Sequence, residues 1–192
     1  MDSSKLSFKL FIENPASIKD LTQVVPVFHS WIQMHAIADH LLVDVADYAH
    51  VHNGPGVVLV SYEANYSLDK RGGRLGFTYQ RKQPLAGDLR ERIRAALRFT
   101  IEPTRLLEQA PAFEGRVSFR TDEIEFRICD RLYAPNTTET FAAVKDDLLS
   151  VFPGASLDYK PAPQELFTVT IRLAKAESLT KISDRLSTMA TV

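Results

Sequence analysis

The sequence predicts an α+β protein in which helices cover one face of an antiparallel sheet. Short apolar runs typical of strands alternate along the chain with longer runs whose apolar residues recur at helical spacing. The order strand, helix, strand, strand occurs near both ends of the chain. The chain has 192 residues, 45% of them hydrophobic and 24% charged, which is ordinary for one globular domain.

In the first half, four strands are predicted from short runs of apolar or alternating residues bounded by Gly, Pro or Asn. They span residues 5–12, 41–48, 57–62 and 74–81. The turn Gly54-Pro55-Gly56 joins the second strand to the third, and a hairpin at Gly72-Gly73 leads into the fourth.

A helix is predicted between the first two strands, with Ser17 as its N-cap and its end near His35. Pro26 interrupts the helical spacing, because proline lacks the N–H that an inner helical turn needs. We therefore expect either a helix with a defect, which we favour, or a helix that begins near residue 24.

The second half contains four further predicted strands and one helix. The strands span residues 117–119, 124–129, 157–159 and 166–173. The helix begins after Asn136-Thr137-Thr138, and its buried stripe consists of Phe141, Val144, Leu148, Val151 and Phe152. From residue 175 onward the sequence is polar with weak helical spacing, so we expect this tail to be partly ordered at best.

The two ends of the chain match in the order of their elements. Phe8-Lys9-Leu10 corresponds to Phe126-Arg127-Ile128, and each half reads strand, helix, strand, strand. We therefore expect a single domain over 1–192, made of two βαββ half-repeats in a ferredoxin-like layout with helices on one face. The half-repeats cover about 5–82 and 117–174, a helix near 88–108 joins them, and 175–192 is the tail.

This element order is similar to the tandem βαββ effector-binding domains of the gyrase-inhibitor type. Those domains bind small molecules in a groove between their halves, so the resemblance implies a ligand groove here and assigns no residue to it.

Composition excludes several kinds of site. One cysteine, Cys129, allows neither an intramolecular disulfide nor a zinc site built from several thiolates. The N-terminus lacks the pattern of a secretory signal, and no apolar run is long enough to cross a bilayer, so we expect a cytoplasmic protein without a membrane partner.

Residues 70–105 are strongly basic, with ten Lys and Arg but only three Asp and Glu, although the whole chain has a net charge of -1. Arg81, Arg90 and Arg94 are therefore the anion-binding candidates. Nucleic acid binding is disfavoured, because the overall charge is slightly negative and the nearby aromatic residues follow a buried pattern.

Acidic, histidine and tyrosine side chains concentrate between residues 44 and 66. We predict a ligand-binding site from Asp44, Asp47, Tyr48, His50, His52, Glu63 and Tyr66. Carboxylates in a cleft shift one another's pKa and histidine titrates near neutrality, so Asp47, His50 and Glu63 are the catalytic candidates. The ligands for a metal would be His50, His52 and Asp47, with both histidines on one strand edge. The spacing matches no metal motif, so no metal is assigned and the cofactor is unknown.

The run Asp-Val-Ala-Asp-Tyr-Ala-His-Val-His-Asn-Gly-Pro-Gly, residues 44–56, resembles a family of uncharacterised bacterial proteins. That resemblance implies no activity. The residues themselves are therefore compatible with three functions. The leading hypothesis is a module that binds a small polar or anionic molecule. The alternatives are a metal-dependent enzyme that uses the cluster at 44–63, and a protein assembly factor that forms a homodimer.

Overall fold

A computed structural model describes residues 5–188, and within them eight strands form one antiparallel sheet and four α-helices are present. The strands are β1 (Leu6–Ile12), β2 (Leu42–Tyr48), β3 (Gly56–Ser61), β4 (Ala64–Asp69), β5 (Gly76–Arg81), β6 (Phe119–Ile128), β7 (Ser156–Tyr159) and β8 (Phe167–Arg172). Their order across the sheet is β2-β3-β4-β5-β1-β6-β8-β7, so β1 lies near the centre and β2 and β7 form the edges.

The helices are α1 (Val25–Met34), α2 (Leu89–Glu108), α3 (Thr138–Val151) and α4 (Leu179–Thr188). A capping box begins α2, because the side chain of Asp88 accepts from the N–H of Glu91 and the side chain of Glu91 accepts from the N–H of Asp88. The predicted helix near 88–108 is thus confirmed. No helix within residues 5–188 is both long and apolar enough to cross a membrane.

Helices α1, α2 and α3 cover the same face of the sheet. Alternate strand residues point to this face and join the helices in one apolar core. The contacting ring pairs are Phe28 with Phe77, Phe99 with Tyr79, and Phe152 with Phe8. The other face of the sheet, which we call the open face, carries mainly polar residues. Helix α4 packs against α2.

The favoured form of the first helix is wrong. Two separate 3-10 turns, Pro15–Ser17 and Leu21–Val24, precede α1, which begins at Val25 rather than after Ser17. Pro26 occupies the first turn of α1, where its missing N–H has no helical partner to lose. The alternative, a helix that begins near residue 24, describes the observed chain.

Two other predictions also need correction, and one strand is an addition to the predicted set. Residues 117–119 and 124–129 are not two strands, because the single strand β6 spans Phe119–Ile128 and pairs with β1 around a bulge. Strand β4 was not predicted. Within the predicted tail, Leu179–Thr188 forms α4, whose Leu179, Ile182 and Leu186 are buried in the core, and residues 189–192 lie outside the described residues. These three side chains form an apolar stripe that binds the helix to the rest of the domain.

Candidate ligand-binding site

The structure separates the three catalytic candidates. The carboxylate of Asp47 accepts a hydrogen bond from the backbone N–H of Ala49 at 2.8 Å. Glu63 accepts from the N–H of Leu41 at 2.8 Å, at the other end of the β2–β3 hairpin. Six residues of extended strand separate the two positions, which is about 20 Å. Both carboxylates accept hydrogen bonds from backbone N–H groups, and the bond of Asp47 to Ala49 is that of an Asx turn.

The two histidines of the metal hypothesis are not on a strand edge, and that part of the prediction is wrong. Strand β2 ends at Tyr48, and His50 and His52 are exposed in the following loop. Two turns form this loop, in which Val51 donates to the carbonyl of Tyr48 and Gly54 donates to the carbonyl of Val51. Between Lys5 and Thr188, no group of three or more His, Cys, Asp or Glu side chains is placed to hold a metal ion.

The other three ligand-binding candidates lie on different faces of the sheet. Asp44 pairs with Val60 and Tyr48 pairs with Gly56, which places both side chains on the open face at the edge of the sheet. Tyr66 points to the helices and is fully buried. Burial raises the pKa of its hydroxyl far above the ordinary value.

The arginines predicted to bind an anion lie on the helical side, where Arg90 and Arg94 are on α2 and Arg81 is buried. Arg90 on α2 forms an ion pair with Asp147 of α3, with 3.6 Å between N and O. Arg94 is half-buried on the same helix. Arg81 is buried at the end of β5, where its Nε donates to the carbonyl of Gln83 at 2.7 Å.

Arg81 belongs to a buried polar cluster around His40, which we call the histidine cluster. Nη1 of Arg81 lies 3.2 Å from Nε2 of His40, and Nδ1 of His40 lies 3.2 Å from the carbonyl of Ala38. The ring of His40 packs edge-on against Phe99, with 4.4 Å between centroids. Burial lowers the pKa of His40; its bond to Ala38 opposes this effect, and the charge of Arg81 adds to it. The imidazole is therefore neutral near pH 7.

The open face carries a continuous polar surface over the central strands. Residues opposite each other across neighbouring strands lie side by side here. They are Asn65 and Ser67 on β4, Thr78 and Gln80 on β5, Ser7 and Lys9 on β1, Glu125 and Arg127 on β6, and Thr168 and Thr170 on β8. This surface does not include any residue predicted from the sequence to form a site.

Lys9 and Asp69 form a buried ion pair on the open face, with side chains 2% and 0% exposed. The distance from Nζ of Lys9 to Oδ1 of Asp69 is 2.7 Å. Nζ also donates to the carbonyls of Arg71 and Arg74, and Thr78 donates to Oδ2 of Asp69 at 2.7 Å. Burial would raise the pKa of Asp69, but the charges of Lys9 and Arg71 outweigh burial and lower it. The pair is fully hydrogen-bonded and fixes the loop between β4 and β5.

A cavity of about 300 Å³ lies on the open face between the edge strand β2 and strand β5. One part of its lining is apolar and the other is polar. The lining residues are Ala46, Tyr48, Pro55, Val58, Val60, Asn65, Ser67, Arg71 and Gln80. Tyr48 is the one member of the predicted ligand-binding set that lines it. A volume of this size is at the lower end of the range for small-molecule sites.

Two polar atoms of the cavity lining are buried without a partner. Among residues 5–188, neither Oδ1 of Asn65 nor Nε of Arg71 has a hydrogen bond within the protein. Nη2 of Arg71 makes a contact of 3.3 Å with Oδ2 of Asp69. Buried polar groups in folded proteins are nearly always paired, so these two atoms are unsatisfied polar groups within the cavity lining.

Sequence reasoning missed this surface because its residues come from separate strands. Ser7, Lys9, Thr78 and Gln80 each alternate with apolar residues, which is also the pattern of any strand with one solvated face. The available signal was the combination of Lys9 in β1 with Asp69 in β4, two charges in otherwise buried runs. Only the pairing of the strands brings them together.

A scan of the chain against protein-family models found no match, and a search of curated proteins found none either.

Proposed function

We propose that the protein is a binding module for a small polar molecule, and that the molecule binds in the open-face cavity. The observation that carries this proposal is the pair of buried, unpartnered atoms in the cavity lining, Asn65 Oδ1 and Arg71 Nε. A ligand that hydrogen-bonds to both would remove the cost of leaving them unpaired. Small-molecule binding is also the leading function expected from the sequence, and Tyr48 belongs to both the predicted and the proposed site. The centre of the proposed site lies on β4 and β5 rather than in the loop after β2.

The order of the elements supports an origin by duplication. The series β1, α1, β2, β3 is followed by β6, α3, β7, β8, with the hairpin β4–β5 inserted in the first series. Phe8 and Phe126, equivalent in the two halves, also pair with each other across the central strands, as a two-fold relation between the halves would require. This arrangement is similar to the effector-binding domains of the gyrase-inhibitor type. Ligands of those domains bind between the halves, whereas the open-face cavity lies within the first half.

The two alternatives receive less support. A metal-dependent enzyme would use His50, His52, Asp47 and Glu63 together, whereas the two carboxylates lie at opposite ends of a hairpin. A homodimer through the edge strand β2 would bring the exposed Asp44 and Asp47 of two copies close together, and the bulge at the start of β2 disturbs its edge. A stable dimer in light scattering would reverse this order of preference.

The test of the proposal is a small-molecule screen by thermal unfolding with two tryptophan variants. Ala46→Trp fills the cavity, because Ala46 lines it, whereas Val43→Trp places the same side chain on the same strand at a position that is 59% exposed. A ligand at 100 times its Kd stabilises the folded state by about 2.7 kcal/mol, which raises Tm by about 5 to 10 °C in a chain of this size.

We expect a ligand that raises the Tm of the unmodified protein and of Val43→Trp but not that of Ala46→Trp. If no compound in a broad set of polar metabolites raises Tm, or if Ala46→Trp responds as the unmodified protein does, the cavity is not a ligand site.

A further inference from the structure

We propose that the molecule bound in the open-face cavity is a carboxylate with a small apolar group, and that Arg71 binds its carboxylate. This inference rests on the proposed function and adds the chemical class of the ligand. It also replaces the predicted anion-binding arginines, which lie on the other side of the sheet, with a residue of the β4–β5 loop.

At the centre of the open face, two cations share one carboxylate. Lys9 is 2.7 Å from Asp69, and Arg127 is 2.7 Å from Glu125, so these four charges form two pairs. Arg71 contacts Asp69 at the longer distance of 3.3 Å and shares that carboxylate with Lys9. A single negative charge at the guanidinium of Arg71 therefore balances the centre of this face.

The exposed acidic residue Asp44 on β2 does not change this balance. Asp44 projects from β2 on the open face, but it is exposed, and water screens its charge. Its Oδ1 also accepts the backbone N–H of Val45 at 2.8 Å.

A carboxylate fits this site better than a phosphate. One arginine can bind a planar carboxylate through two parallel hydrogen bonds, and one negative charge matches the one excess positive charge. A phosphate would bring more negative charge than Arg71 offsets. The amide groups of Asn65 and Gln80, which are side by side on β4 and β5, offer N–H donors to the same oxygens or an acceptor to a neighbouring polar group.

The rest of the ligand would contact an apolar surface. Val58 and Val60 of β3 and Ala46 of β2 form this part of the lining, and Tyr48 and Pro55 form a wall beside it. A small aromatic or branched aliphatic group would bury its surface against these side chains. The proposed site thus combines one anion-binding residue with an apolar patch.

The test uses three probes of nearly equal shape and different charge: phenylacetate, phenylacetamide and phenethylammonium. Each is titrated into the full chain at millimolar concentrations, and binding is followed by NMR at the methyl groups of Val58 and Val60. We expect phenylacetate to bind at least about tenfold more tightly than phenylacetamide, because a charge-assisted hydrogen bond is roughly twice as strong as a neutral one. Phenethylammonium should bind most weakly.

Two variants test the role of Arg71. Arg71→Gln removes the guanidinium, and we expect phenylacetate and phenylacetamide to bind it equally. Lys70→Gln makes the same change of charge at the neighbouring residue, which is exposed and does not line this cavity, so the preference for phenylacetate should remain.

The outcomes separate this inference from the proposed function. If phenylacetamide or phenethylammonium binds the unmodified protein as tightly as phenylacetate, the cavity binds ligands but the carboxylate class is wrong. If the preference for phenylacetate persists in Arg71→Gln, the role of Arg71 is wrong. If no probe shifts the methyl signals of Val58 and Val60, the inference fails together with the cavity as a site for small molecules of this size.

Discussion

Two buried polar clusters lie on opposite faces of the same central strands, and they satisfy their polar atoms differently. On the open face, the Lys9–Asp69 pair receives or donates a hydrogen bond at each charged atom. In the histidine cluster, Arg81 bonds to an imidazole and to backbone carbonyls. Within the described chain, the buried hydroxyl of Tyr66 beside it has no partner at all.

The difference indicates what each cluster does for the fold. A saturated ion pair is costly to break, because removal of one charge leaves the other buried alone. The histidine cluster depends on a neutral imidazole that accepts from Arg81, so its contribution to stability depends on pH. The first cluster therefore fixes the shape of the open face, and we expect the second to make the helical side sensitive to acid.

The largest effect should come from Asp69→Ala. This change leaves Lys9 buried without a counter-charge, so we expect the free energy of unfolding to fall by about 3 to 5 kcal/mol. Asp158→Ala is the matched control, because Asp158 also pairs with an arginine but is 66% exposed, and its loss should cost under about 1 kcal/mol. Urea unfolding measures both. A loss below 1 kcal/mol for Asp69→Ala would show that the pair contributes no more than a surface pair.

A smaller difference should separate two hydroxyl deletions. Thr78→Val removes a donor to the charged Asp69, which should cost about 1.5 to 3 kcal/mol. Tyr66→Phe removes a hydroxyl that forms no hydrogen bond, so the free energy of unfolding should stay the same within about 0.5 kcal/mol or increase. Equal losses in the two variants would contradict the contrast between the clusters.

The smallest effect is a pH dependence that distinguishes the clusters. The pKa of His40 is lowered below its ordinary 6.5, so the unfolded chain binds more protons between that lower pKa and 6.5. Stability should therefore decrease as pH falls below about 6.5, although the nearby Glu63 and Asp39 attract the proton and limit the decrease. The pKa of Asp69 is also lowered, so its contribution is present above 3.8 and is lost only at lower pH.

Unfolding free energies measured from pH 7.5 to 5 test the first of these two ranges. His40→Phe should make the free energy of unfolding less dependent on pH. His50→Phe is the control, because His50 is exposed in its loop, and it should leave the pH dependence unchanged. An unchanged slope in His40→Phe would assign the acid sensitivity to other groups.

Local signals in the sequence predicted much of the fold. The alternation in β1 and β5 and the apolar stripe of α3 each identify an element without reference to the rest of the chain. Strand β4 was missed because Ala64–Asp69 mixes Asn, Ser and Asp with apolar residues, and these polar residues are partly or fully buried on the open face. Helix α4 was not predicted as an ordered element, because its apolar stripe consists of only three residues, Leu179, Ile182 and Leu186, in a polar segment.

The candidate site could not be predicted in the same way. Proximity in sequence suggested that the polar residues between 44 and 66 would meet, but strands send alternate side chains to opposite faces, so Tyr66 and Tyr48 lie on different sides of the sheet. The cavity is lined from β2, β3, β4, β5 and two loops. Its composition depends on strand order, which local patterns do not contain.

The central position of β1 also bears on how the chain reaches its folded state. Ser7 pairs with Gln80 on one side and with Arg127 on the other, so both partners of this strand are far away in the sequence. All seven residues of β1 are buried. Until β6 has formed, one edge of β1 would be unpaired in a folding intermediate, and this strand carries only one charged residue, Lys9. Unpaired apolar strand edges bind chaperones and nucleate aggregation. We therefore expect aggregation during refolding to compete with closure of the long loop between β1 and β6.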